Sequence, residues 1–325
     1  MCVISVANNE PLQVIQLSDG ENLTAEILPF GATIKSIKFK NQEMTLSVDE
    51  PQYYLENPFY LGATVGRYAN RIAEGHFSLS GTPYQLEKNN GSNSLHGGVK
   101  GFNKALWQVI QQNENEVELY YCAEDGEEGF PGKLEVWQTI TATNGQLALC
   151  FKATCDKETL VNLTNHCYFN LEGSDTITNH LLQVNATHYL PIDDNSIPFE
   201  EAAAVKNSCF DFTQAKPVGG ALSQNHPQLD AGFGFDHCYV YKNDNKLKAM
   251  AKLTSTLTNI NLTLFSTQPG MQLYTANFVD LPFKARQALC LEAQNWPDAP
   301  NRENFPKANL LPGEVYNQTI IYAFS

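Results

Sequence analysis

Basic residues are scarce in this chain. Lys and Arg total 21 against 35 Asp and Glu, a net charge of -14 over 325 residues. A nucleic-acid partner needs a basic surface that displaces the counterions of the phosphate backbone, so none is expected. Long apolar runs are missing as well: nothing approaches the roughly 20 residues that span a bilayer. Met1 to Gln16 shows no basic segment followed by an apolar run, so neither membrane insertion nor secretion is expected. The eight cysteines are scattered, without a C-x-x-C pair. Cys150, Cys167, Cys238 and Cys290 lie in apolar, strand-like contexts and read as buried, reduced thiols of a cytoplasmic protein. The N-x-S/T triplets at Asn162 and Asn261 then read as ordinary turn and strand residues.

Several motifs are also absent. There is no H-x-x-x-H or H-x-H, so the sequence offers no metal-ligand spacing. G-x-G-x-x-G and the P-loop pattern are missing, which argues against a nucleotide, and G-x-S-x-G is missing, which argues against a serine nucleophile. Cys167 adjoins His166, but neighbours on a strand point to opposite faces, so the two do not make a nucleophile–base pair. No metal and no cofactor are expected.

What the chain has in abundance is alternation. Trp107 to Ile110 and Glu116 to Tyr121 flank a polar turn. Leu134 to Thr143 and Gln146 to Thr154 flank Asn144-Gly145, a strong two-residue hairpin signal. Lys252 to Thr258 and Asn261 to Ser266 repeat the design. Apolar stripes of helical period longer than ten residues are missing, and only Tyr53 to Asn57 and Gly219 to Gln224 suggest short helices. Hydrophobic content of 42% with only 17% charged residues gives a globular chain. Without a linker, a composition shift or a repeat, residues 1–325 are expected to form one all-β domain, a large antiparallel β-sandwich.

Against that background a few polar residues stand out. Leu289-Cys290-Leu291 delivers Glu292 at the inner end of a strand, just before Trp296-Pro297 breaks it. Partial burial there would raise a carboxyl toward the range of a general base; the alternative is a solvated edge glutamate. His96 heads the Gly97-Gly98 loop, where glycine lets backbone approach a ligand, or is a structural turn histidine. His166, in an apolar strand, is a site residue or a satisfied core histidine. Asp236 beside His237 sits among aromatics and needs a partner or a ligand. Such a set of His, Glu, Asp, Arg and amides with aromatics alongside suits a polyhydroxylated ring, bonded at its hydroxyls and stacked on its apolar face.

The ordered segments sharpen this. Gly66-Arg67-Tyr68-Ala69-Asn70-Arg71-Ile72, Leu95-His96-Gly97-Gly98, Asn165-His166-Cys167-Tyr168-Phe169-Asn170 and Gly234-Phe235-Asp236-His237 follow one another along the chain. Tyr274-Thr275-Ala276-Asn277-Phe278, Leu291-Glu292-Ala293-Gln294-Asn295-Trp296-Pro297-Asp298 and Leu311-Pro312-Gly313-Glu314 complete the series. In this order they resemble the aldose 1-epimerase, or galactose mutarotase, family over nearly the whole length. The resemblance implies a galactose mutarotase-like supersandwich that interconverts the α and β anomers of free aldoses such as galactose and glucose. It implies Glu292 as general base, His166 as general acid and His96 on the same face of the sugar. Asn70, Arg71, Asp236 and Gln272 would bind hydroxyls, with Tyr168 and Phe278 lining the pocket. The expected partner is a small-molecule aldose, bound by a monomer or homodimer. Two departures bear on sugar preference: Val279 to Leu289 is short where many relatives carry a longer Gly-containing loop, and Ile197-Pro198-Phe199-Glu200 lacks the usual Thr-Gly. The competing readings are a hexose-phosphate epimerase, which would call for more arginines, and a non-catalytic sugar-binding module, which would need neither base nor acid.

Overall fold

The alternating segments assemble into an antiparallel sheet of nine strands in the computed structural model, which describes residues 12–199 and 201–325. The stretch up to residue 11 that was read for a leader, and Glu200, lie outside the described residues. The spatial order is Gln108–Gln112, Glu116–Ala123, Leu134–Thr143, Gln146–Cys155, Tyr316–Phe324, Asn261–Ser266, Lys248–Thr254, Leu181–Val184 and Lys216–Pro217. Along Leu134–Thr143 fully and partly buried residues alternate up to the exposed Thr143, as a strand with one face on a core must. Thr143 pairs with Gln146 across Asn144-Gly145, whose φ values of 49° and 73° give the turn twist that two-residue hairpins need. The strand expected from Lys252 to Thr258 stops at Thr254. Ser255 Oγ accepts from the amides of Leu257 and Thr258 and turns the chain there.

A second antiparallel sheet carries the chemistry. It contains β1 (Tyr168–Phe169), β2 (Asp236–Val240), β3 (Gly270–Tyr274) and β4 (Leu289–Gln294), in the spatial order β1-β4-β3-β2, followed by His188–Tyr189 and Ala203–Ala204. Met271, Leu273, Leu289, Leu291 and Ala293 turn inward and belong to one apolar cluster with Ile320, Leu264 and Val136 of the nine-stranded sheet. Phe169 meets Tyr322 edge-on at 4.9 Å between the two sheets. Burying each large side chain of this layer contributes about 1.5–3 kcal/mol before conformational entropy offsets it. The result is an all-β sandwich. Short helices occur at Tyr53–Glu56 and Val218–Leu222, close to where the sequence suggested them. A third, Pro227–Ala231, was not anticipated; Pro227 takes its first position and His226 caps it through Nδ1, which accepts from Gln228 N.

Candidate active site

Register in the second sheet decides which side chains meet. Residues directly opposite on antiparallel strands share a face. Asp236 faces Tyr274, Tyr274 faces Cys290, and Cys290 faces Tyr168, which makes one row across four strands. The next row is Cys238, Gln272 and Glu292. The period of two that sends Leu291 and Ala293 into the core therefore turns Cys290 and Glu292 to the other side. That side forms part of the wall of a cavity of about 400 Å³, together with loops carrying Tyr60, Asn70, Arg71 and His96.

His166 and Glu292 approach each other on this wall. Nε2 of His166 lies 3.7 Å from Oε2 of Glu292, and that oxygen has no hydrogen-bond partner among the described residues. His166 follows the strand Thr164–Asn165, held where Gly62 N donates to its carbonyl and its own N donates to Ala63 O. The rings of His96 and His166 meet edge to face at 5.4 Å. Tyr60 covers both, nearly parallel to His166 at 5.8 Å and tilted on His96 at 4.8 Å. Tyr60 was not singled out from the sequence; it stands in a loop with φ of 58°, where neither periodicity nor motif marks it.

The His96 loop is fixed by glycine and amides. Gly97 has φ of 86°, and a Cβ there would come within 2.0 Å of Gly66 O, so only glycine lets the two loops cross. Asn89 clasps the loop from outside, accepting from Leu95 N and donating to the carbonyls of Leu95 and Gly98. Asn70, at φ of 67°, donates its main-chain N–H to His96 Nδ1 at 3.2 Å. That makes Nδ1 an acceptor and assigns the proton of neutral His96 to Nε2.

The binding residues implied by the resemblance form a linked set. Arg71 donates from Nε to Asn90 Oδ1 and sits 3.6 Å from Asp236 Oδ2. Gln272 stands behind, its Nε2 donating to Asp236 Oδ1 at 2.6 Å and its Oε1 left without a partner. Tyr168 is anchored by its hydroxyl, which donates to Phe59 O. Phe278 is at the mouth and 57% exposed, with Phe233 edge-on at 5.4 Å. His237 points the other way, against Phe210 and Tyr189, and Arg67 is buried against the carbonyls of Pro131 and Gly132; neither reaches the cavity.

Burial sets the protonation. It pushes Glu292 well above the ordinary carboxylate range; nearby Asp236 adds to this and Arg71 opposes it. Burial also pushes His166 down to about 4, against the pull of its own main-chain carbonyl, and holds His96 well below the usual imidazole value, with His166 and Arg71 adding to the effect. The 3.7 Å approach of His166 and Glu292 favours opposite charges, whereas taking both ions out of water costs several kcal/mol each and opposes them. Burial thus favours the neutral form of each group, with the proton on Glu292. His96, His166 and Glu292 each offer a ligand atom within 4.8 Å of the others, a spacing a cation could span. A metal on His96 Nε2 would have to displace its proton and break the bond from Asn70 N. These donors suit moving protons better than holding an ion.

Comparison with known proteins bears on the same pocket. The profile of the family described as Aldose 1-epimerase matches residues 13–323. A galactose mutarotase of Bos taurus is 40% identical over 94% of this chain and 92% of that protein. An aldose 1-epimerase of Escherichia coli (strain K12) is 33% identical over 98% of this chain and 96% of that one. A crystal structure of a GalM/aldose epimerase homologue from C. elegans superposes with a TM-score of 0.90 at 32% identity, covering 97% of this chain and 99% of that one.

Proposed function

The chain belongs to the aldose 1-epimerase family, and we infer from that membership and from the pocket that it is an isomerase interconverting the α and β anomers of free aldohexoses such as galactose and glucose. The observation that carries the reading is the unpartnered Glu292 Oε2 facing His166 Nε2 at 3.7 Å on the wall of a cavity of sugar size.

The reaction needs two proton transfers. Glu292 as carboxylate takes the proton from O1, and the O–H electron pair becomes the second C1–O1 bond. The C1–O5 bond breaks, its electron pair goes to O5, and O5 takes a proton from His166 Nε2. Rotation about C1–C2 turns the aldehyde over, and the same steps reversed close the ring as the other anomer. The competent state is the ion pair, reached when the single proton of the pair moves from Glu292 to His166. Each positioned group contributes on the order of 10²–10⁴-fold. His96 Nε2–H is a donor for the same face of the sugar. Arg71, Asn70 and Asp236 offer bonds to hydroxyls, Gln272 holds Asp236, and Tyr168 and Phe278 offer apolar contact.

A phosphorylated substrate is disfavoured. Arg71 is the one Lys or Arg on the cavity wall among the described residues, and it is engaged by Asp236, whose carboxylate would repel a phosphate. No helix among the described residues is long and apolar enough to cross a membrane. The described cysteines are free thiols, which supports a cytoplasmic location. Polarimetry of freshly dissolved α-D-galactose and α-D-glucose, with the spontaneous rate subtracted, tests the activity directly. A rate equal to the spontaneous one for both sugars would overturn it.

A further inference from the structure

We propose that Cys290 is a positioning residue for His166: its sulfur accepts a hydrogen bond from Nδ1–H of the ring, so that Nδ1 keeps its proton and Nε2 alone shuttles. The proposal rests on His166 being the proton donor to the ring oxygen. Cys290 Sγ lies 3.6 Å from His166 Nδ1, and both residues are buried. Two residues along the same strand, Glu292 reaches the opposite nitrogen, Nε2, at 3.7 Å. One strand face thus addresses both nitrogens of one imidazole, each with a different atom.

The cycle requires that division. When imidazolium gives its Nε2 proton to O5, the neutral ring left behind carries its proton on Nδ1. It then takes the proton back on Nε2 as the ring closes. A neutral ring protonated on Nε2 instead could neither receive the proton of Glu292 nor accept one from O5. The geometry favours the productive form. Glu292 faces Nε2, the nitrogen that must receive its proton, so Nδ1 is left as the donor, and the sulfur, which can accept or donate, takes the accepting role. Burial pushes the thiol of Cys290 well above its ordinary value, so it stays uncharged.

Sulfur is the informative choice. A carboxylate behind a histidine raises the basicity of the ring and stabilises the imidazolium. A thiol is a weak acceptor and fixes the tautomer without holding the charge, which leaves the cation ready to release its proton. Among the described residues, the other side chains around the ring are placed differently. Glu292 is on Nε2, His96 presents an edge, Tyr60 stacks on the face, and Tyr168 and Tyr274 make ring contacts. Arg71 stands across the cavity with Asp236.

Long-range ¹H–¹⁵N correlation on protein labelled with ¹⁵N-histidine reads the tautomer, with the His166 signals identified by their loss in His166→Asn. The expected wild-type spectrum has Nδ1 protonated and Nε2 bare at neutral pH. Cys290→Ala should mix the tautomers and lower kcat on the order of tenfold, with KM held within about twofold. Cys290→Ser, which keeps an acceptor at nearly the same volume, should restore most of both. A wild-type ring protonated on Nε2 would overturn the proposal, as would Cys290→Ala with wild-type kcat. A fall in kcat with an unmoved tautomer would assign the loss to packing and overturn it too. Full activity in His166→Asn would instead sink the role of His166 itself, so the two failures are distinguishable.

Discussion

The floor and the rim of the pocket are built on different terms. On the floor His96, His166 and Glu292 are each at most 6% exposed, lie on or beside strands, and are perturbed by burial. At the rim Phe278 and Phe233 are more than half exposed, hang on loops and meet edge-on. Arg71 lies between, its side chain 13% exposed and tied to both Asn90 and Asp236. Chemistry that depends on shifted protonation is served by the buried layer, because desolvation is the largest cause of the shifts there. Recognition of a sugar that must enter and leave tolerates, and uses, the exposed one.

The sharpest way to break this contrast is at the floor. Glu292→Gln removes the base while keeping its shape, and kcat is expected to fall on the order of 10²–10⁴-fold with KM little changed. His166→Asn should lose a similar factor. Steady-state polarimetry of either variant decides, and a kcat near wild type would remove that residue from the mechanism.

The pH profile tests the electrostatic half of the contrast. In the proposed mechanism, activity requires one proton on the His166–Glu292 pair. With two protons Glu292 cannot act as base, and with none His166 cannot act as acid. The rate should therefore rise as the pair loses its second proton, on a limb that burial moves down to about 4. It should fall as the last proton leaves, on a limb that burial moves above the ordinary carboxylate range. Both apparent values belong to the pair and not to one residue. An acidic limb at the unperturbed imidazole value would show that the floor is wetter than its geometry implies.

Arg71→Ala probes the middle. It removes the proposed bond to a hydroxyl and frees Asp236, and KM should rise roughly tenfold, as for loss of one charged hydrogen bond. An unchanged KM would take Arg71 out of the binding set. Phe278→Ala probes the rim and should have the smallest effect, a KM increase of about two- to threefold at constant kcat, from loss of a partly exposed stacking surface. Should this variant lose kcat as heavily as Glu292→Gln, floor and rim would not be separable.

Legibility in the sequence follows the same division. Six strands of the nine-stranded sheet were readable from local signals, such as the alternation of Leu134 to Thr143 and the Asn144-Gly145 turn, whereas Tyr316–Phe324, Leu181–Val184 and Lys216–Pro217 were not named. Glu292, His166 and His96 were nameable because each sits in an ordered run of unusual residues, yet their convergence rests on pairings between segments far apart in the chain. Tyr60 gave no signal, since a loop aromatic looks alike whether it stacks on two imidazoles or on nothing. Cys290 read as an inert core thiol; its contact is with a residue 124 positions away, a distance no local pattern spans. The two arginines of Gly66 to Arg71 are alike on paper and part company in space. Arg67 is buried among carbonyls, where desolvation lowers its pKa to about 10, and Arg71 opens onto the cavity.

The row register of β4 makes the pocket sensitive to phase as well as to identity. Cys290, Glu292 and Gln294 look one way only because each is an even number of steps from the next. Inserting or deleting a single residue ahead of Glu292, without changing any residue of the site, would present Leu291 and Ala293 to the sugar and bury the carboxylate among Met271 and Leu273. Substitutions along this strand can be graded, whereas a one-residue slip inverts it. A lineage exploring new sugars is therefore free to lengthen or shorten the loops around the mouth but is held to a fixed count through 289–294.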